Sequence, residues 1–418
     1  MSNTMSVDTP ATIAVIGAGP IGLEAALYAR FLGYDVLMFE QGEVAQNVQR
    51  WGHVQMFTPF SMNRSSLAVA AIQAQGSTRL PPDDAALTGS QWRNQYLVPL
   101  SRTDLLAASI YEHTIVLDVG RQSILKHEMP GSPDRAISRF RILVEGIKGE
   151  AVHQADIVID CSGVVDVPCW LGSGGGPAVG ERALVDHIDH LPPDSLGKDM
   201  SRFGGKKTLL VGSGYSAATT AVELSRLAET HPQTQFVWAV RGPQIQTPIT
   251  RIKHDRLSSR HQLAQAANTL AAEHDGPCTM RAESHIESIR HDDQNVFWVR
   301  FHEQVAEESF DNVVANVGFR GDNTITEQLQ VHRCYASDGP MKLAATLVNT
   351  TGDCLDQTSA GVASLQNPEP NLYLLGSKSY ARNPNFLFSV GLEQIRELFT
   401  LIGDRAALNL YAIVGRKS

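Results

Sequence analysis

Near the start of the chain, Gly17, Gly19 and Gly22 stand in the run GAGPIG, and Glu40 follows further on. These residue types at this spacing can hold the pyrophosphate of a dinucleotide. Gly17 permits a tight turn, Gly19 lets the backbone approach a phosphate, and Gly22 lets a helix pack closely on a strand. Pro20 lies inside the same turn. A helix that begins there presents unpaired N–H groups and the positive end of its dipole to an anion. Glu40, roughly 20 residues past the turn, can accept hydrogen bonds from a ribose diol, with Gln41 beside it. Glycine spacing alone is weak evidence. Strand, turn, helix, strand and acid in the right order are strong evidence.

The chain repeats this chemistry later. VGSGYSA carries Gly212, Ser213, Gly214 and Ser216, with Ala217 at the third glycine position. The following apolar run, QFVWAV, ends on Arg241 and not on an acid. A guanidinium holds a 2′-phosphate that a carboxylate would repel. The second turn is therefore expected to take NADPH in preference to NADH, with Arg251, Lys253 and Arg256 as further positive charges. The plainer reading of Arg241 is a solvated residue at a strand end. Two such turns suggest two different dinucleotides. One would be a flavin nucleotide held tightly, the other a nicotinamide nucleotide that comes and goes, with hydride passing between their rings.

The elements that must position these residues are legible in outline. ATIAVI and DVLMFEQ read as strands flanking a helix over LEAALYARFLGY. TLLV and QFVWAV flank a second helix that runs on through Leu227. LSRTDLLAASIYEH reads as a helix capped by Ser101. TIVLDVG, RFRILVEG and ADIVIDCSG read as strands, and NLYLLGSKS as a late buried strand ending in glycine. RNPNF then opens a long amphipathic helix, with Asn385 as its N-cap and Pro384 restricting its entry. The linker-like runs LGSGGGPAVG and PPDSLG place a domain boundary near residue 195. No tandem repeat of about 20–50 residues is present.

Bulk properties narrow the classes. The 418 residues suggest two or three domains. The formal net charge of −9 argues against nucleic acid or an anionic membrane as the main partner. The polar N-terminus lacks a secretory core, and no apolar run approaches the roughly 18 residues of a membrane span, so a cytoplasmic location is expected. The five cysteines are scattered and form no CxxC, which fits free thiols in a reducing compartment. DHIDH holds two histidines three apart but offers no third ligand, so no metal is expected.

These motifs together resemble the flavoproteins with two dinucleotide-binding domains, including thioredoxin-reductase-like enzymes and class B flavin-containing monooxygenases. The resemblance spans nearly the whole chain. It implies an α/β fold of two Rossmann-like, three-layer ββα domains, with the NADPH domain inserted into a discontinuous FAD domain. The expected limits are 1–194 and 316–418 for FAD and 195–315 for NADPH. DCSG, with Ser162 and Gly163, resembles the family's first crossover, and ANVGFR its return. NLYLLGS, with Gly376 and Ser377, resembles the strand beside the flavin ribityl chain. WGHVQMFTPF resembles the stretch that passes the isoalloxazine, which makes Arg50, Trp51 and Thr58 expected cofactor neighbours.

Two departures bear on activity. The redox cysteine pair of the disulfide reductases is absent, since Cys161 and Cys169 lack its spacing. The monooxygenase motif FxGxxxHxxx(W/F/Y) is matched only by a histidine, His187 or His190. The family chemistry implies hydride transfer from NADPH to FAD. A helix beginning after Asn385 would then oppose the charge of the reduced flavin. Reaction with O2 would oxygenate a small-molecule substrate, with Trp51, Asn63 and Arg64 as catalytic candidates. Trp51 serves equally as core filler, and Asn63 and Arg64 equally as a surface helix start. The alternatives are a reductase or oxidase that passes electrons to a quinone, a protein or oxygen, and a non-catalytic nucleotide-binding module. A homodimer is the family's expectation.

Overall fold

A computed structural model of the chain describes residues 6–76, 79–243, 246–302, 304–348 and 353–415. It divides into two compact units, Met1–Val167 with Phe319–Ser418, and Pro168–Gly318. The second is inserted into the first. In chain order the outer unit begins with strand β1 (Thr12–Ile16), helix α1 (Pro20–Phe31) and strand β2 (Asp35–Phe39). Helix α2 (Ser66–Ala74), the short strand β3 (Ile110–Tyr111), an antiparallel set β4 (Ile115–Arg121), β5 (Phe140–Gly146) and β6 (Gly149–Ala155), and strand β7 (Ile157–Asp160) follow. The inserted unit holds β8 (Lys207–Val211), α3 (Tyr215–Thr230), β9 (Gln235–Ala239), α4 (Ser258–Ala272), β10 (Cys278–Arg281), β11 (Ile286–His291), β12 (Phe297–Phe301), β13 (Glu308–Phe310) and β14 (Asn312–Ala315). The chain returns to the outer unit with β15 (Leu372–Leu374), α5 (Phe388–Ile402) and α6 (Leu410–Gly415).

Each unit is a parallel sheet with helices on one face and a small antiparallel sheet on the other. In the outer unit the parallel order is β15-β7-β1-β2-β3, and the antiparallel order is β4-β5-β6. The period-2 alternation of a strand divides the layers. Ile13 and Val15 of β1 join the helix-side core with Leu23, Leu27 and Leu398. Ala14 and Ile16 join the sheet-side core with Val119, Phe140 and Ile142. The inserted unit repeats the plan with parallel order β10-β9-β8-β14 and antiparallel order β11-β12-β13. Here Leu210, Phe236 and Trp238 face α3 and α4, while Leu209, Val211 and Val237 face Phe297 and Val299. Both units are therefore three-layer ββα folds.

The chain leaves and re-enters through two segments joined by backbone hydrogen bonds. Arg320 N donates to Val167 O in the outer unit, and Cys169 N donates to Gly318 O in the inserted unit, both at 2.9 Å.

Three local expectations differ from what is observed. Residues 168–194, assigned to the outer domain by the linker-like runs, pack in the inserted unit. Leu171, Ala178 and Ile188 enter its sheet-side core, and Gly172, Val179 and Asp189 bridge Ile286, Ser288 and Val314. The glycine-rich run is a packed connection and not a free linker. The helix expected over residues 100–113 does not form, and Ser101 ends a short helix, its hydroxyl donating to Val98 O at 2.8 Å. The chain there must be free to deliver Ile110 and Tyr111 as a strand beside β2. Asn385 is not the cap of α5. Leu387 occupies that position in extended conformation, without a side-chain cap.

Candidate functional site

Glu40, the Gly17 turn, Ser162–Gly163 and Gly376–Ser377 all follow the carboxyl ends of strands that lie side by side in the order β2, β1, β7, β15. Ligands of open α/β sheets bind in the crevice at these strand ends. Three strand spacings of ~4.8 Å make this row roughly 14 Å long.

The first turn is shaped by its glycines and opens onto an uncapped helix start. Gly17 adopts φ +93°, and a Cβ there would sit 2.9 Å from Cys161 O. A Cβ on Gly22 would fall 1.9 Å from Gly17 O, so only glycine lets α1 approach β1 this closely. At Gly19 a Cβ would meet nothing within 4 Å. The chain thus presses inward at Gly17 and Gly22 and opens at Gly19. Gly19 caps α1 with no side-chain hydrogen bond, and Pro20 fills the first helical position. The helix start keeps its N–H groups for a ligand.

Glu40 is buried, and its carboxylate accepts from Ala18 N at 2.7 Å and from Gly42 N at 3.1 Å. Burial pushes its carboxyl above the ordinary value, and the two N–H donors oppose that shift. Gln41 does not turn towards Glu40. Its amide donates to Asp166 at 2.8 Å, and Asn47 and Arg50 donate to the same carboxylate at 2.9 and 2.8 Å. Asp166, missed in the sequence, therefore gathers the polar side chains that follow β2. Its signal was its place three residues past Gly163 at a strand exit.

The expected flavin-side segment is held by its own contacts. Asn63 is buried, and its amide donates to Thr58 Oγ1 at 2.8 Å and to Pro59 O at 2.9 Å. Arg64 forms a two-pronged pair with Asp83, both bonds at 2.8 Å. Trp51 lies against Gly89, where a Cβ would come within 2.6 Å of its ring. Asn63 and Thr58 thus meet each other, while Arg64 and Trp51 are engaged with the loop at residues 83–89.

At the end of β15, Gly376 takes φ +69°. Its N–H donates to Gln394 Oε1 at 3.0 Å, and Gln394 Nε2 donates to Ser379 Oγ at 3.1 Å. Sequence reading missed this buried clamp between the turn and α5, because Gln394 sits among the buried, mostly apolar residues of the helix. Ser377 Oγ lies 3.6 Å from where a Cβ of Gly163 would be, so the two strand exits touch. Asn385 donates its backbone N–H to Asn383 Oδ1 at 3.0 Å, ahead of the helix. Ile21, in the first turn of α1, packs against both Gly376 and Gly391 of α5. The uncapped starts of α1 and α5 therefore converge on the same strand exits.

The inserted unit holds the second turn. Gly212 takes φ +138°, and a Cβ there would come within 2.3 Å of Asn316 O. The Trp238 indole donates to Gly212 O at 2.8 Å and fixes the turn from beneath. Thr220 Oγ1 donates to Asn316 Oδ1 at 2.9 Å, tying α3 to the end of β14. Ser213, Gly214 and Ser216 are exposed, and a Cβ on Gly214 would meet nothing within 4 Å. Gly214 caps α3 without a side-chain bond. Arg241 is exposed just past β9. His187, in the DHIDH run, lies tilted against His291, ring centroids 5.1 Å apart.

All five cysteines are free thiols. Burial pushes the Cys161 thiol well up, and that of Cys278 up to about 12, so both are poor nucleophiles at neutral pH. No helix among the described residues is long and apolar enough to cross a membrane.

No protein-family model matches the chain, and no curated sequence does. Solved structures do. The bacillithiol disulfide reductase of Bacillus cereus aligns with a TM-score of 0.65 at 14 % identity, over 95 % of this chain and 100 % of its own. The FAD-bound cadaverine monooxygenase of desferrioxamine biosynthesis from Erwinia amylovora aligns at 0.62 and 12 % identity, over 95 % of each chain. The thioredoxin reductase of T. acidophilum aligns at 0.58 and 13 % identity, over 96 % of this chain and 100 % of its own. The fold is thus that of the two-domain flavoprotein reductases and monooxygenases.

Proposed function

We propose that the chain is an FAD- and NADPH-dependent oxidoreductase acting on a small molecule. One observation carries this reading: the chain builds two open glycine turns, each at the head of an uncapped helix and each at the exit of its own parallel sheet. The residues of the outer unit fit FAD. Gly17, Gly19 and the start of α1 would hold the pyrophosphate, and Glu40 the ribose. Gly163, Gly376, Ser377 and the start of α5 would hold the ribityl and ring end. When bound, FAD supplies a ring that accepts two electrons from a nicotinamide. Gly212, Ser213, Gly214 and Ser216 would receive the pyrophosphate of NADPH, and Arg241 its 2′-phosphate.

Oxygenation of the substrate by O2 is the finer reading, supported by the monooxygenases among the structural neighbours and by the missing cysteine pair. A second reading, electron transfer to a quinone, a protein or oxygen without oxygenation, has its own support. Asn63, one of the catalytic candidates for oxygenation, spends its amide nitrogen on Thr58 and Pro59. An anaerobic titration of the purified protein with NADPH and NADH, then addition of O2 with trapping of products, separates these. Bleaching of a bound flavin by NADPH and an oxygen atom in product support the first reading. Bleaching with acceptor reduction alone supports the second. Protein that takes up no flavin overturns both.

A further inference from the structure

Asp160 closes β7, an otherwise apolar strand, and is wholly buried. Its carboxylate lies 3.3 Å from the equally buried ammonium of Lys378, just past the Gly376 turn. Lys378 also donates to Asp322 O. The half-buried guanidinium of Arg333 adds positive charge near Asp160. A buried ion pair of this kind is weak evidence for stability, since apolar residues of similar size often serve as well or better. Its position points elsewhere. Asp160 is paired in register with Ile16, which precedes the Gly17 turn, and with Leu374, which precedes the Gly376 turn.

The other carboxylate oxygen of Asp160 accepts from Ser162 N at 3.0 Å and from Ser162 Oγ at 2.6 Å. A serine hydroxyl has one proton to give. Ser162 has given it to Asp160, so towards any ligand its oxygen can only accept. A short hydrogen bond to a carboxylate also strengthens that acceptor. The natural donor to such an oxygen, placed between two nucleotide turns, is a sugar-alcohol hydroxyl.

We propose that Asp160, neutralised by Lys378, is a positioning residue that locks Ser162 as the acceptor for a ribityl hydroxyl of FAD. The assignment rests on the FAD reading above. The test compares binding of FAD and of ADP to flavin-stripped full-length protein, with thermal melting of each variant. ADP shares the pyrophosphate and ribose contacts but has no ribityl chain. Ser162→Ala leaves the buried pair intact and should weaken FAD roughly tenfold, the loss of one hydrogen bond in a strong site, while ADP stays within about twofold. Ser162→Thr, which keeps the hydroxyl, should restore FAD binding. The double variant Asp160→Leu/Lys378→Met removes both charges together, so it should melt near the wild type and show the same FAD-selective loss. Equal losses of FAD and ADP, or no loss in Ser162→Ala, overturn the proposal. Wild-type protein that binds ADP but no FAD overturns the FAD reading itself, and the proposal with it.

Discussion

Arg241 is exposed just beyond β9, one residue past the register position that Glu40 holds in the first turn. The difference between the two positions is a difference of charge sign, and 2′-phosphate recognition depends on that sign. Arg241→Ala should raise the KM for NADPH roughly tenfold to a hundredfold, as expected for losing a charge-assisted bond, and leave that for NADH within about twofold. Steady-state kinetics with both nucleotides check this, and equal losses would remove Arg241 from the site. At this scale the sequence spoke clearly only where partners are close in the chain. The glycines and Glu40 belong to one βαβ unit, so their spacing carries their chemistry. Asp160 and Lys378 meet only after the inserted unit, and Gly376 with Gln394, though near in the chain, follows no recurring motif, so no spacing rule reaches either pair. Asn63 shows the converse. It stood among the catalytic candidates, whereas a local turn engages its amide nitrogen.

Between elements, the contact that matters most is that of α1 with α5. A Cβ on Gly391 would sit 2.3 Å from Ile21 Cδ1 and 2.9 Å from the Phe386 ring, and Ile21 is backed by Gly376 on another side. Helix propensity alone favours Gly391→Ala by about 1 kcal/mol. Overpacking opposes it by about 1–3 kcal/mol. Gly391→Ala should therefore destabilise the protein, and adding Ile21→Val, which removes the nearest atom, should recover most of the loss. Denaturant unfolding of the two single variants and the double variant measures the coupling. Simple additivity would show that the helices have room to part. The sequence foretold both helices from their apolar periodicity. It misplaced the start of α5 because RNPNF carries strong capping residues that the chain spends on a loop, with Leu387 as the true boundary.

Over the whole molecule, each unit buries an acid against its own interest. Burial raises Glu24 of α1 to about 7, though Tyr96 Oη donates to it at 2.7 Å. Burial, and then the charge of Asp194, raises Glu223 of α3 to about 7. Both values lie above those of the unfolded chain, so the native state keeps protons that the unfolded state releases. Their stabilising contribution is whole below about pH 4.5 and is lost as pH rises towards 7. For Glu24 the shift from 4.5 to about 7 corresponds to a loss on the order of 3 kcal/mol. Glu24→Gln, which mimics the protonated form, should unfold with a flatter pH dependence between pH 5 and 8 and gain on the wild type at the upper end. A parallel pH profile would show that Glu24 does not titrate in this range.

The duplication itself was the most legible feature, because two copies of one pattern in one chain are hard to produce by chance. The limits of the inserted unit were less so. A run rich in glycine looks like a tether, yet here two bridges stitch it to β11, and a third ties Asp189 beyond it to β14. The bonds that pair Val167 with Arg320 and Cys169 with Gly318 make the departing and returning chains neighbours. A segment whose two ends share one doorway behaves as a cassette. Recombination could trade it for another cassette with both seams in one place, and the host's strand order would never need re-threading.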